Sequence, residues 1–117
     1  MTYARNNIFA KILREEIPAS RIYEDDYALA FRDIEPAAPT HILVIPKGDY
    51  TCFADFMRQA TAAMVQGFFA SIEKIAVQQG VSDYRLITNN GSVVGQTVHH
   101  FHVHLLAGKP MSALLPQ

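Results

Sequence analysis

The chain has 117 residues, half of them apolar, which is material for one compact core and little for a second. Lys and Arg number 10 against 11 Asp and Glu, and no basic run occurs, which excludes a general nucleic-acid surface while leaving room for a local phosphate site. Its one cysteine, Cys52, rules out an intrachain disulfide and any four-cysteine zinc pattern.

No stretch approaches the roughly 20 apolar residues that cross a bilayer. Residues 1–7 carry no signal-peptide core. These features predict a single cytoplasmic domain over residues 1–117, with no membrane partner.

Asn6 or Asn7 can cap a short helix whose apolar face is Ile8, Phe9, Ile12 and Leu13, closed by Pro18. Two strands are expected next, Arg21–Glu24 and Ala28–Arg32, joined by the acidic turn Asp25-Asp26. Residues 33–40 contain Pro36 and Pro39 and read as a loop. His41–Pro46 is a β-branched apolar run, a central strand ended by its proline. Asp55 to Gln79 reads as one long helix, with Gly80 at the left-handed position past its end. On that helix Met57, Met64, Val65, Phe68, Phe69, Ile72, Ile75 and Ala76 fill an arc of roughly 140°. One sheet face needs less; the excess is either a wide core-facing stripe or a surface for a partner subunit. Tyr84–Thr88 reads as a strand, Asn89–Gln96 as a polar loop, and His99–Ala107 as the last strand, ended by Lys109-Pro110. Short connections between these elements predict an α+β fold: a mostly antiparallel five-stranded sheet with one long and one short helix.

Four of the five histidines fall within six residues, His99, His100, His102 and His104, and the fifth, His41, opens another strand. Residues two apart on a strand share a face, so His100, His102 and His104 line one side. Phe101, Val103 and Leu105 take the other, with His99 as its polar exception. Three alternate imidazoles are too polar for core filler. One metal ion held by all three is strained, because the outer Cβ atoms stand about 13 Å apart on an extended strand. A pair with His41 remains geometrically open. A linear row suits a phosphate flanked by two groups. Asn89, Asn90, Gly91, Ser92, Gly95, Gln96 and Thr97 add amides, hydroxyls and approachable backbone N–H groups. Walker-type and dinucleotide-fold glycine motifs are absent.

Gly95-Gln96-Thr97-Val98-His99-His100-Phe101-His102-Val103-His104-Leu105-Leu106 resembles the signature of the histidine triad (HIT) superfamily. Ile8–Ile12, Glu16–Pro18, Glu24–Asp26, Ala30–Ile34 and Pro36–Lys47 are similar to its histidine triad nucleotide-binding branch, Hint, and the likeness covers nearly the whole chain. The resemblance implies a homodimer with its two sheets joined, and hydrolysis of purine nucleoside 5′-phosphoramidates to an amine and AMP or GMP. It implies His102 as nucleophile, with His100, His104 and His41 holding the phosphate and sharing protons. Asp33 would bond the ribose hydroxyls, and Ile8, Phe9, Ile12, Phe31 and Ile34 would enclose the base. Asn89, Gln96 and Thr97, beside the Gly95 backbone, would contact the phosphate or leaving group. Thr97, Val94 and His99 depart from the usual serine, glycine and aromatic residue.

Neutral imidazole is a competent nucleophile near pH 7. Attack by His102 gives a nucleotidyl-histidine, which water then resolves. A backbone carbonyl is expected to hold the other His102 nitrogen as N–H. No metal or cofactor is expected, since flanking imidazoles, when protonated, supply positive charge. The alternatives are a dinucleoside polyphosphate hydrolase, a nucleotide-binding regulatory module whose turnover is incidental, and a zinc-dependent protein.

Overall fold

A computed structural model describes residues 2–112. Five strands form one antiparallel sheet in the order β1-β2-β3-β5-β4. They are β1 (Arg21–Glu24), β2 (Ala28–Arg32), β3 (Thr40–Pro46), β4 (Arg85–Ile87) and β5 (Val103–Ala107). Among the described residues three α-helices, α1 (Ile8–Leu13), α2 (Phe53–Gln59) and α3 (Ala62–Gln78), and a short 3-10 turn at Ser92–Val94 complete the fold. Among the described residues, no helix is long and apolar enough to cross a membrane.

Both faces of the sheet are covered, and the period-2 alternation sorts residues between them. Ala28, Ala30, Ile42, Val44, Val103, Leu105 and Ala107 pack with Phe68, Ile72, Ile75 and Ala76 of α3. Leu29, Phe31, Leu43 and Ile45 face the other way and pack with Phe9 and Ile12 of α1. Asn7 caps α1, its side chain accepting the Ala10 N–H at 2.9 Å. Leu13 ends that helix five residues before Pro18, which therefore is not what stops it.

Three further expectations need correction. The long helix from Asp55 to Gln79 is two helices, because Ala60 and Thr61 are both extended (ψ 148° and 159°). Thr61 turns its hydroxyl on the Met64 N–H at 3.1 Å and starts α3 anew, which is what a threonine does better at a cap than in a helix interior. Met57 and Phe69, on either side of the break, are 47% and 38% exposed. Gly80 does sit past the end of α3 with φ of 70°.

The last strand starts at Val103 rather than His99. Its ladder on β3 stops at Val44↔Val103, and its ladder on β4 stops at Ile87↔His104. Pro46 has no N–H to continue the pairing. Its carbonyl instead accepts a side-chain proton from His100 at 3.0 Å. Residues 99–102 are held by single bonds: Phe101 N–H to Tyr50 O at 2.8 Å, and Thr88 hydroxyl to His102 O at 2.8 Å. The fourth strand is likewise shorter than Tyr84–Thr88, spanning three residues at the sheet edge.

Candidate active site

A cavity of about 570 Å³ opens between α1, the end of β2, the 33–35 loop and the 89–98 loop. Its volume suits a mononucleotide-sized ligand. Ile8, Phe9, Ile12 and Phe31 form an apolar wall, joined by Ile17, Ala19, Leu43 and Val98, which the sequence reading did not single out. Carrying the two-residue alternation through the apolar runs of β2 and β3 places Leu43 on the Phe31 side; nothing comparable marks Ile17, Ala19 or Val98. Asp33, Asn89, Gly95, Thr97, His102 and His104 are the polar members already named. Ile34 lines the mouth of the cavity and is 95% exposed.

Hydrogen bonds assign the ring protons. His102 Nδ1 lies 2.7 Å from the His100 carbonyl, which only accepts, so Nδ1 carries the proton and Nε2 keeps its lone pair. Phe9 meets that ring edge-on, with centroids 4.9 Å apart. His41 Nδ1 accepts the Ala37 N–H at 3.0 Å, which puts the His41 proton on Nε2. That Nε2–H donates to His104 Nδ1 at 2.9 Å, so neutral His104 presents its own proton on Nε2. His102 and His104 lie side by side, centroids 5.2 Å apart. Asp33 Oδ2 stands 3.5 Å from His41 Nε2, while Oδ1 accepts the Glu35 N–H at 2.8 Å.

Three residues expected at the phosphate do not line the cavity: His41, buried and reaching it only through its bond to His104, together with His100 and Gln96. His100 is fully buried and does not line the cavity: Nε2–H donates to Pro46 O, and Nδ1 accepts the Tyr3 hydroxyl at 2.6 Å. The alternation that placed it beside His102 and His104 needs an extended, paired strand, and residues 99–102 are not one. Gln96 is also buried, and its amide is fully used: Nε2 donates to Thr51 O and Val98 O, and Oε1 accepts the Gly91 N–H. It pins the 91–98 loop from within. No pattern in the sequence marks Tyr3 as a neighbour of this site.

Burial disfavours charge on all three imidazoles. It pushes His100 down to about 4, against a partly compensating bond to Pro46. His104 also falls to about 4, through burial first and then the nearby His102 and His41, with Asp33 pulling the other way. His102 is lowered by burial too, opposed by its bond to the His100 carbonyl and by Asp33. With no anion bound, the triad is therefore neutral near pH 7. The positive charge expected of flanking imidazolium rings is not carried by the neutral triad.

Asp33, His41 and His104 bring ligand-type atoms within 4.8 Å of one another. The proton map argues against a cation there. The Ala37 N–H occupies His41 Nδ1, so His41 would have to lose its Nε2 proton to ligate, becoming an anionic ring.

Residues 14–111 match the family described as the HIT domain. A HIT-like protein from Rickettsia prowazekii is 46% identical over 115 residues, covering 97% of this chain and 96% of its own. A purine nucleoside phosphoramidase from Escherichia coli is 43% identical over 114 residues, covering 96% and 95%. The solved histidine triad protein from Clostridium difficile superposes with a TM-score of 0.87 at 40% identity, covering 97% of this chain and all of its own. The sheet, the His102–His104 row and these likenesses agree: the chain belongs to the HIT family.

Proposed function

We propose that this protein is a nucleotide hydrolase of the Hint type, cleaving purine nucleoside 5′-phosphoramidates to a nucleoside monophosphate and an amine. One observation carries the reading: His102 donates Nδ1–H to the His100 carbonyl, which leaves Nε2 as a free nucleophile on the wall of a nucleotide-sized cavity. The similarity to the Escherichia coli phosphoramidase supports the same substrate class.

In the reaction so proposed, His102 Nε2 attacks the α-phosphorus, the P–N bond breaks, and the amine leaves with a proton taken from solvent. Water then attacks the phosphorus of the nucleotidyl-histidine, returning the imidazole, releasing the monophosphate and giving its proton back to solvent. His104 Nε2–H, fed by the His41 Nε2–H behind it, donates to a phosphoryl oxygen as charge builds. Asp33 bonds the ribose hydroxyls and the α1 wall takes the base. Thr97, the Gly95 backbone and Asn89, whose side-chain amide lies beside Gly95, meet the phosphate or leaving group. His100 and Gln96 support this machinery from behind.

The proposal includes a homodimer joined at β4. Its support is an edge strand that, among the described residues, pairs with β5 on one side only and leaves Leu86 45% exposed, together with exposed Met57 and Phe69 on the helical face. The test of function is incubation with adenosine 5′-phosphoramidate. AMP release and an adenylated His102 peptide by mass spectrometry are expected; neither product appearing refutes it. A dinucleoside tetraphosphate run in parallel discriminates the polyphosphate hydrolase alternative.

A further inference from the structure

We propose that Tyr3 is a positioning residue for His102: its hydroxyl pins the His100 ring against Pro46, and so holds the carbonyl that sets the His102 tautomer. This rests on the nucleophile reading above and extends it to a residue outside the stretch that matches the HIT family, which begins at residue 14.

The argument starts from the backbone of residues 99–102. With no ladder on either side, its position depends on separate tethers: Phe101 N–H to Tyr50 O, the Thr88 hydroxyl to His102 O, and the two bonds of the His100 ring. The ring bonds are directional. Pro46 O can only accept, so His100 Nε2 carries the proton and Nδ1 must be the acceptor; the Tyr3 O–H at 2.6 Å is the donor. Burial holds His100 at about 4, so the ring stays neutral and this assignment persists at physiological pH. The Tyr3 ring also packs edge-on against it, centroids 5.6 Å apart. Asn7 anchors the segment that carries Tyr3, bonding Ala4 O through both its backbone N–H and its side-chain amide.

Removal of the hydroxyl leaves His100 Nδ1 buried without a donor. The ring then gains by turning or by moving its proton to Nδ1, either of which abandons Pro46 O. The carbonyl of residue 100 moves with it. His102 Nδ1–H loses its fixed acceptor, and part of its population shifts the proton to Nε2, where it blocks attack. Neither Tyr3 nor His100 lines the cavity, so ground-state binding is spared.

The experiment compares wild type, Tyr3→Phe and Tyr3→Leu by ring-nitrogen NMR on ¹⁵N-histidine protein and by kcat and KM with adenosine 5′-phosphoramidate. In Tyr3→Phe the His102 Nδ1–H signature is expected to weaken, and kcat to fall about 3- to 10-fold, the worth of one hydrogen bond, with KM within about twofold of wild type. Tyr3→Leu should lose as much. A Phe variant with the wild-type His102 spectrum and kcat, whatever its melting temperature, overturns the proposal. Absence of turnover in the wild type refutes the phosphoramidase reading alone, since the His102 spectrum of the Phe variant still decides the role of Tyr3.

Discussion

His102, His104 and His41 differ in where each ring keeps its proton, and backbone atoms make that assignment. A carbonyl at residue 100 leaves the His102 Nε2 lone pair free; an amide at Ala37 makes His41 a donor, and His104 follows from His41. Substituting His102 by Asn removes the attacking nitrogen while leaving the wall of the cavity polar. Turnover is expected to fall at least about 10³-fold with AMP affinity kept within a few-fold. Single-turnover kinetics and AMP calorimetry on the same sample check this, and near-normal turnover would remove the nucleophile assignment. Asp33→Ala acts on binding instead. Loss of a charge-assisted bond to ribose should weaken AMP by about 10- to 100-fold, and a 2′-deoxy nucleotide should feel the change less. Equal losses for the two nucleotides would place Asp33 outside ribose recognition.

Between the helices, small residues settle what the apolar pattern leaves open. Gly67 lies inside α3, where glycine ordinarily costs stability, because the Tyr27 ring rests against its Cα; a Cβ there falls within the ring's contact distance. Asp25 shapes the hairpin that delivers Tyr27. Its Oδ1 accepts the Tyr27 and Ala28 N–H groups, and its Oδ2 accepts the Tyr23 and Ser71 hydroxyls. Burial opposes ionisation of this carboxyl, and those four donors outweigh burial and hold it below the usual carboxylate range. Gly67→Ala, which by helix propensity alone should stabilise α3, is expected to destabilise the protein by about 1–3 kcal/mol through overpacking. Urea denaturation measures the change; a gain in stability would show that Tyr27 yields freely.

At the scale of the molecule, neutral burial of imidazoles links stability to pH. His100 titrates at about 4 folded and near 6.5 unfolded, so between those values the unfolded chain binds more protons and stability falls as pH drops. The full contribution is present above pH 6.5 and is lost progressively toward pH 4; His100 alone is worth about 3 kcal/mol across that window. His104 and His102 act in the same direction, discounted for their partial access to solvent. Asp25 and Asp55 are lowered from an ordinary 3.8, so they are ionised in both states over most of this range and add little slope. The urea midpoint should therefore be lower at pH 5 than at pH 7.5, and His100→Asn should flatten the difference. Equal midpoints in the wild type would contradict the buried neutral ring.

Much of this was legible in the chain itself. Strands β1 and β2 and the His102–His104 pair follow from short-range periodicity, while the Asn7 cap and the glycine after α3 follow from the local chemistry of one residue, a side-chain acceptor and a backbone free to take positive φ. The family signature carried the same information in another form. What only the tertiary structure decided is where periodicity stops. Pro46 ends the ladder that His99–His102 would have joined, and so moves His100 from the cavity to the support behind it. Thr61 divides a stretch whose apolar spacing is continuous. Gln96 and Tyr3 find partners 45 and 97 residues away. Such contacts depend on which chain segments the sheet brings together, and a local pattern holds no record of that.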